Sequence, residues 1–247
     1  MNNNMNKKIE PEKPYILSYL ALRRAIGFLG AMLPWVLWLG ACLISRTELQ
    51  DSISSYYYTE MRNVFVGTLC AIGVFLLCYK GYECADAVAS RLGGLFAICT
   101  ALFPTAPDGI PPTVGEKWIG CIHLIFAALF FITLAYMSLF LFTKTHREQP
   151  KISITAYVSI FRSNQKRFDQ TRIPGKEKLK RNLVYYSCGV IMLVCILVIG
   201  LYYGFFDKNG VSGESSTLVF WLEAAAVFAF GISWLIKGET LLKDKNK

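Results

Sequence analysis

The sequence predicts an all-α integral membrane protein: a bundle of six transmembrane helices with both termini cytoplasmic. Three observations carry that prediction. Of 247 residues, 54% belong to the apolar and aromatic set and only 17% are charged, with mean hydropathy +0.39. Soluble domains run nearer one quarter charged, so a water-facing surface of ordinary size is hard to build from this chain. The apolar residues also fall in blocks of about 17 to 25, the length a helix needs to cross ~30 Å of hydrocarbon. Finally, the basic residues gather on one side of those blocks. The same numbers exclude a disordered chain, a collagen-like repeat, a coiled coil and a small disulfide scaffold.

Taken in order, the blocks are Ala25–Ile44, Asn63–Tyr79, Ala87–Thr105, Trp118–Phe142, Leu183–Phe206 and Thr217–Ile236. This divides the chain into a polar segment 1–24, four spans within 25–142, a basic loop 143–182, two spans within 183–236 and a tail 237–247. The third block is the weakest, because Arg91 lies near its inner end and its apolar centre, Leu92–Phe103, is short. Six crossings leave all but Arg46, Arg62, Lys117 and Lys208 of the 26 basic residues on one face. By the positive-inside rule that face is cytoplasmic, which gives a multi-pass protein of a bacterial inner membrane. The formal net charge of +9 is then a topology signal, and nucleic acid is not an expected partner. The opening is polar and mixed in charge and lacks a small-residue cleavage site, so span one is expected to be retained as an anchor.

Small residues at four-residue spacing suggest where helices press together in lipid. Span three carries Ala89, Gly93, Ala97 and Ala101, and span six carries Ala225, Ala229 and Ser233. Pro34 is expected to bend span one. Trp118, Trp234, Tyr79 and Tyr82 fall near span ends, where an aromatic belt belongs. The eight cysteines avoid the external loops and have no CxxC spacing, so they read as small apolar fillers. In the basic loop 144–181, the apolar run Ile152–Phe161 precedes a basic stretch. That pairing suggests contact with anionic lipid, or a solvated loop that simply enforces topology.

Ionisable groups at membrane depth are costly and point to function by default. Glu223 lies six residues into span six and His123 five residues past Trp118 in span four, so both reach a similar depth below the outer surface. Around them the outer ends of the spans supply Ser54, Tyr57, Arg62, Asn63 and Thr105. One arrangement is a pocket in which Arg62 neutralises Glu223 or grips an anionic headgroup. Another is a buried Arg62–Glu223 ion pair with a satisfied histidine, both serving helix packing.

Enzyme motifs are largely missing. There are two histidines, His123 and His146, and the predicted topology puts them on opposite sides of the membrane. That falls short of a zinc hydrolase's ligand set, and no metal or other cofactor is expected. GxSxG, Walker, GxGxxG and HExxH patterns do not occur. A Ser54 nucleophile served by His123 and Glu223 can be drawn, but nothing in the spacing requires it.

The runs SISSYYYTEMRNVFVGTLCAIGVFLLCYKGY, LFPTAP, IHLIFAALFFITLAYMSLFLFTKT, RNLVYYSCGVIML and FWLEAAAVFAFGISWLIKGE resemble an uncharacterised group of bacterial six-span membrane proteins, across most of residues 50–240. In layout the chain is more distantly similar to DRAM/Sfk-like membrane proteins. That likeness implies a non-enzymatic role at membranes, tied to lipid organisation or recruitment of partners, with Ser54, Arg62 and His123 matching by place. The chain departs from the bacterial group at Tyr58 and Asn63, where histidine and aspartate are usual, which further lowers a catalytic reading. The expectation is a non-catalytic protein that binds a lipid headgroup or similar amphiphile in an outward-facing polar pocket, with membrane lipids as partners and a homo-oligomer left open. The alternatives are a transporter or channel moving a proton or cation through Glu223 and His123, and a membrane-embedded lipid hydrolase.

Overall fold

The computed structural model describes residues 14–81, 83–107, 112–144, 176–205 and 217–240. Among these there are six long helices and no strand. They are α1 (Pro14–Ile44), α2 (Arg62–Cys78), α3 (Cys84–Leu102), α4 (Val114–Tyr136), α5 (Lys176–Phe205) and α6 (Leu218–Lys237). A short 3₁₀ turn, Ser54–Tyr58, precedes α2, and one turn of π-helix, Met137–Leu141, extends α4. Ser138 in that π turn donates to the Tyr185 carbonyl of α5 at 2.8 Å, so the widened turn is held against its neighbour.

Five of the helices are long and apolar enough to cross a membrane, which makes this a multi-pass helical membrane protein. The sixth, α2, is apolar but has 17 residues and spans only ~25 Å at 1.5 Å per residue. The short element is therefore α2, and the block expected to be weakest forms a full-length α3. Its first charged residue, Asp86, is taken up at the N-terminus by accepting the Glu83 amide at 3.0 Å. Five helices start earlier than the apolar blocks suggested, most of all α1 at Pro14 and α5 at Lys176, where good helix formers on either side of the charged residues Arg23–Arg24 and Lys176–Arg181 carry the helix on. α1 passes through Pro34 as one helix. Residues 145–175, including Ile152–Phe161 and His146, lie outside the described residues, as does Tyr82.

Each helix packs against its neighbours in sequence, and α6 closes the ring against α1. Close approach is made by glycine. A Cβ at Gly231 would lie 2.5 Å from the Ala31 amide nitrogen and 2.7 Å from the Gly27 carbonyl, so α1 and α6 touch backbone to backbone. Gly73 and Gly94 do the same for α2 and α3, where a Cβ on Gly94 would meet the Gly73 carbonyl at 2.6 Å. In lipid, where apolar burial drives helices together only weakly, such contacts supply the packing. The α3 stripe is buried as expected at Ala89, Gly93, Ala97 and Ala101. On α6 the expected stripe is only partly right. Ala225 faces outward, whereas Ala229 and Ser233 are buried beside Gly231.

Two expected belt residues are core residues instead. Trp234 is 1% exposed and makes edge contacts with Tyr79 and Phe142, with ring centroids 5.0 and 5.2 Å away. Tyr79 is equally buried, stacked on Tyr19. Being near a helix end does not decide which way a side chain points. Trp118, at 68% exposed, does lie on the outside. All eight cysteines are unpaired: Cys188 and Cys195 are buried, and the other six lie partly or fully exposed on the helices.

Candidate functional site

Polar groups collect at both ends of the bundle. At the end where α1 leads into α2, the loop is drawn inward, and Ser52, Ile53, Ser54, Ser55 and Tyr56 are all buried. The reason is local. Ser52 Oγ accepts the Ser55 amide at 2.9 Å and pairs with the Ser55 hydroxyl at 2.7 Å, which tightens the chain into the 3₁₀ turn. The turn places Tyr56 against Phe220 of α6, with ring centroids 6.1 Å apart.

Two helices and the segment after α3 then fasten the loop by polar contacts. From α6, the Glu223 carboxylate accepts the Ile53 amide at 2.6 Å, and the Phe220 amide donates to the Asp51 carbonyl at 2.8 Å. The second contact satisfies one of the first-turn amides that α6 leaves open, since Thr217 gives it no side-chain cap. From α4, His123 reaches the loop through Ser54, its Nε2 lying 2.9 Å from the hydroxyl. Its Nδ1 lies 2.6 Å from the Phe103 carbonyl at the end of α3. A carbonyl only accepts, so Nδ1 carries the proton, and a neutral ring then accepts the Ser54 hydroxyl at Nε2. Finally, the Tyr58 hydroxyl donates to the Thr105 carbonyl at 2.6 Å.

The structure therefore brings Ser54, His123 and Glu223 together through the loop. The imidazole and the carboxylate hold consecutive residues, 54 and 53. Arg62 is elsewhere. It is exposed, its guanidinium lies 4.2 Å from the Tyr57 ring centroid and it donates to the Tyr57 hydroxyl. No ion pair joins it to Glu223 among the described residues. Of the arrangements the sequence left open, the ion pair is not formed: Arg62 lies on Tyr57 and Glu223 on the Ile53 amide. Asn63 is exposed beside Arg62, and Thr105 contributes its backbone oxygen. The two groups that fix His123 and Glu223, a carbonyl and an amide, leave no mark in a sequence.

The opposite end carries a second cluster that charge counting read only as topology. Arg23 is 4% exposed, its guanidinium stacked 4.4 Å from the Tyr19 centroid. It donates to the Lys237 carbonyl at 3.2 Å, and Arg24 Nε donates to the Gly238 carbonyl at 3.0 Å. Two arginines of α1 thus satisfy the open carbonyls that end α6 and place positive charge at its negative pole. Outside the helices, Lys144 is paired with Glu83 at 2.6 Å. That hydrogen bond holds the exposed ammonium somewhat above its ordinary pKa.

Among the described residues no three His, Cys, Asp or Glu side chains converge as a metal site. Comparison of the chain with family models, curated proteins and solved structures returns no match.

Proposed function

We propose that this chain is a six-span protein of a bacterial inner membrane, both termini cytoplasmic, that holds a lipid headgroup or similar amphiphile at its outer end without catalytic turnover. The observation that carries the reading is the exposed Arg62 guanidinium, pre-oriented over Tyr57 and not neutralised by Glu223. Arginine's planar fork suits a phosphate, and an aromatic platform lowers the entropy lost in holding it. Ser54, His123 and Glu223 serve this reading as the frame that fixes the loop carrying Tyr57 and Tyr58, with Asn63 and Thr105 at its margin. The basic loop 144–181 adds an anionic-lipid contact on the cytoplasmic side. The test is native mass spectrometry of anionic phospholipid retained by wild type, Arg62→Lys and Arg62→Ala. Loss of one charge-assisted contact predicts roughly tenfold weaker retention in Arg62→Ala, with Arg62→Lys in between. Equal retention in all three would sink the proposal.

A hydrolase reading has one specific observation in its favour, the Ser54 hydroxyl placed on the His123 ring. Against it stands Glu223, whose carboxylate occupies the amide next to Ser54. A hydrolase would need the backbone there to stabilise a developing oxyanion, and a carboxylate opposes one. Covalent capture of Ser54 by a fluorophosphonate probe would overturn the non-catalytic assignment.

A further inference from the structure

Two titratable side chains from two different helices, Glu223 of α6 and His123 of α4, grip consecutive residues of one buried loop. We infer that the segment Asp51–Tyr58 is a proton-sensitive strap, held down when Glu223 is charged and His123 neutral and loosened when both take up a proton.

The chemistry of each contact sets the direction. A carboxylate accepting an amide makes a charge-assisted hydrogen bond roughly twice as strong as its neutral counterpart, so protonating Glu223 weakens the hold on Ile53. A neutral His123 with its proton on Nδ1 accepts from Ser54. As imidazolium it has no acceptor left: Nε2 becomes a donor, and the Ser54 hydroxyl must turn round to accept from it. Acid therefore weakens the hold on Ile53 and puts a charge on a ring that is 1% exposed, a cost relieved when the strap opens to water, both at adjacent positions of one turn. The hydroxyl of buried Tyr56 lies near the Gln50 backbone without a well-formed hydrogen bond, so the closed strap already carries one poorly satisfied polar group.

The charged groups around the strap leave this pair in control. On α2, Arg62 is turned to Tyr57. On α4, Glu116 is folded back onto Thr113 and Lys117 is exposed. Asp51 takes part through its carbonyl, held by the Phe220 amide, and Arg46, Glu48 and Glu60 flank the loop in sequence. α3 presents no charged side chain at this end among the described residues.

Hydrogen exchange of the full chain in lipid nanodiscs, corrected for intrinsic rate, tests the idea without any ligand, so its outcome is separate from that of the lipid-retention experiment. Comparing about pH 7.5 with about pH 5, the amides of 51–58 should lose protection by about fivefold or more, while α3 and α6 stay protected. Glu223→Gln should expose the same amides already at about pH 7.5 and shrink the pH response, and His123→Asn should shrink it as well. Unchanged protection of the loop on acidification overturns the inference. So does a loss that spreads through the helices, because the strap would then not be a separate unit.

Discussion

His123 ties three segments together at the end of the bundle where α1 leads into α2. It joins the end of α3, its own helix and the loop before α2 through two hydrogen bonds, and it is 1% exposed. Removing it strands a carbonyl and a hydroxyl in buried surroundings, and each such loss costs about 1–3 kcal/mol. His123→Ala is therefore expected to lower stability by about 2–4 kcal/mol and Ser54→Ala by about 1 kcal/mol, read from unfolding in detergent. The double variant should lose less than the sum, since the two residues share one contact. Strict additivity would mean that Ser54 and His123 do not interact. Depth is legible at this scale: rise per residue puts Glu223 and His123 level with each other, and they hold the adjacent residues Ile53 and Ser54. Direction is not. Arg62 and Glu223 have the right charges and the right height, yet Arg62 lies on Tyr57 and Glu223 on a backbone amide. Arg23 and Arg24 teach the same lesson. In the sequence their charge serves only as a topology signal, while their part in closing the end of α6 depends on which carbonyls happen to lie opposite.

Helices are where the sequence spoke most clearly, because length and hydropathy are properties of a segment alone. All six apolar blocks are helices, although α1 and α5 run on at their starts through the charged pairs and runs that seemed to bound them, Arg23–Arg24 and Lys176–Arg181. Which faces meet was less clear. Four-residue spacing of small residues located the buried side of α3, but on α6 it included the outward-facing Ala225 and passed over Gly231. A stripe rule weighs alanine and glycine alike, whereas a backbone-to-backbone approach needs no Cβ at all at the point of closest contact. Gly231→Val should accordingly push α1 from α6 and destabilise the protein by about 1–3 kcal/mol or more, since the new atoms would fall within 2.7 Å of Ala31 and Gly27. Gly67→Val is the matched control. Its Cβ would meet nothing within 4 Å, and the change should stay within about 0.5 kcal/mol of wild type. Similar losses at both sites would mean that valine harms these helices by propensity and that the close contact is unimportant.

The whole molecule turns on the shortest helix. Around the ring each helix lies beside its sequence neighbour, and the contacts at each end fit a strict up-and-down order. Arg23 at the start of α1 reaches Lys237 at the end of α6, while Glu223 near the start of α6 reaches the loop after α1. If α2 crosses with the other five, the two chain ends share a face. If it stayed on one side, five crossings would remain and the ends would have to part, against the Arg23–Lys237 contact. Its 17 residues cover ~25 Å against ~30 Å of hydrocarbon, a mismatch that bilayers absorb by thinning locally at a cost of fractions of a kcal/mol per Å. That is less than leaving α3 without its backbone-to-backbone partner, where Gly94 meets the Gly73 carbonyl of α2. Green fluorescent protein fused to either terminus should thus fluoresce, since it does so only in the cytoplasm, and alkaline phosphatase at the C-terminus should be inactive. An active C-terminal phosphatase would leave a five-crossing protein. The six-crossing outcome also gives Arg62 its setting. As the first residue of the short helix it would stand where the outer leaflet is drawn inward, and a lipid phosphate would meet the guanidinium without leaving its own layer.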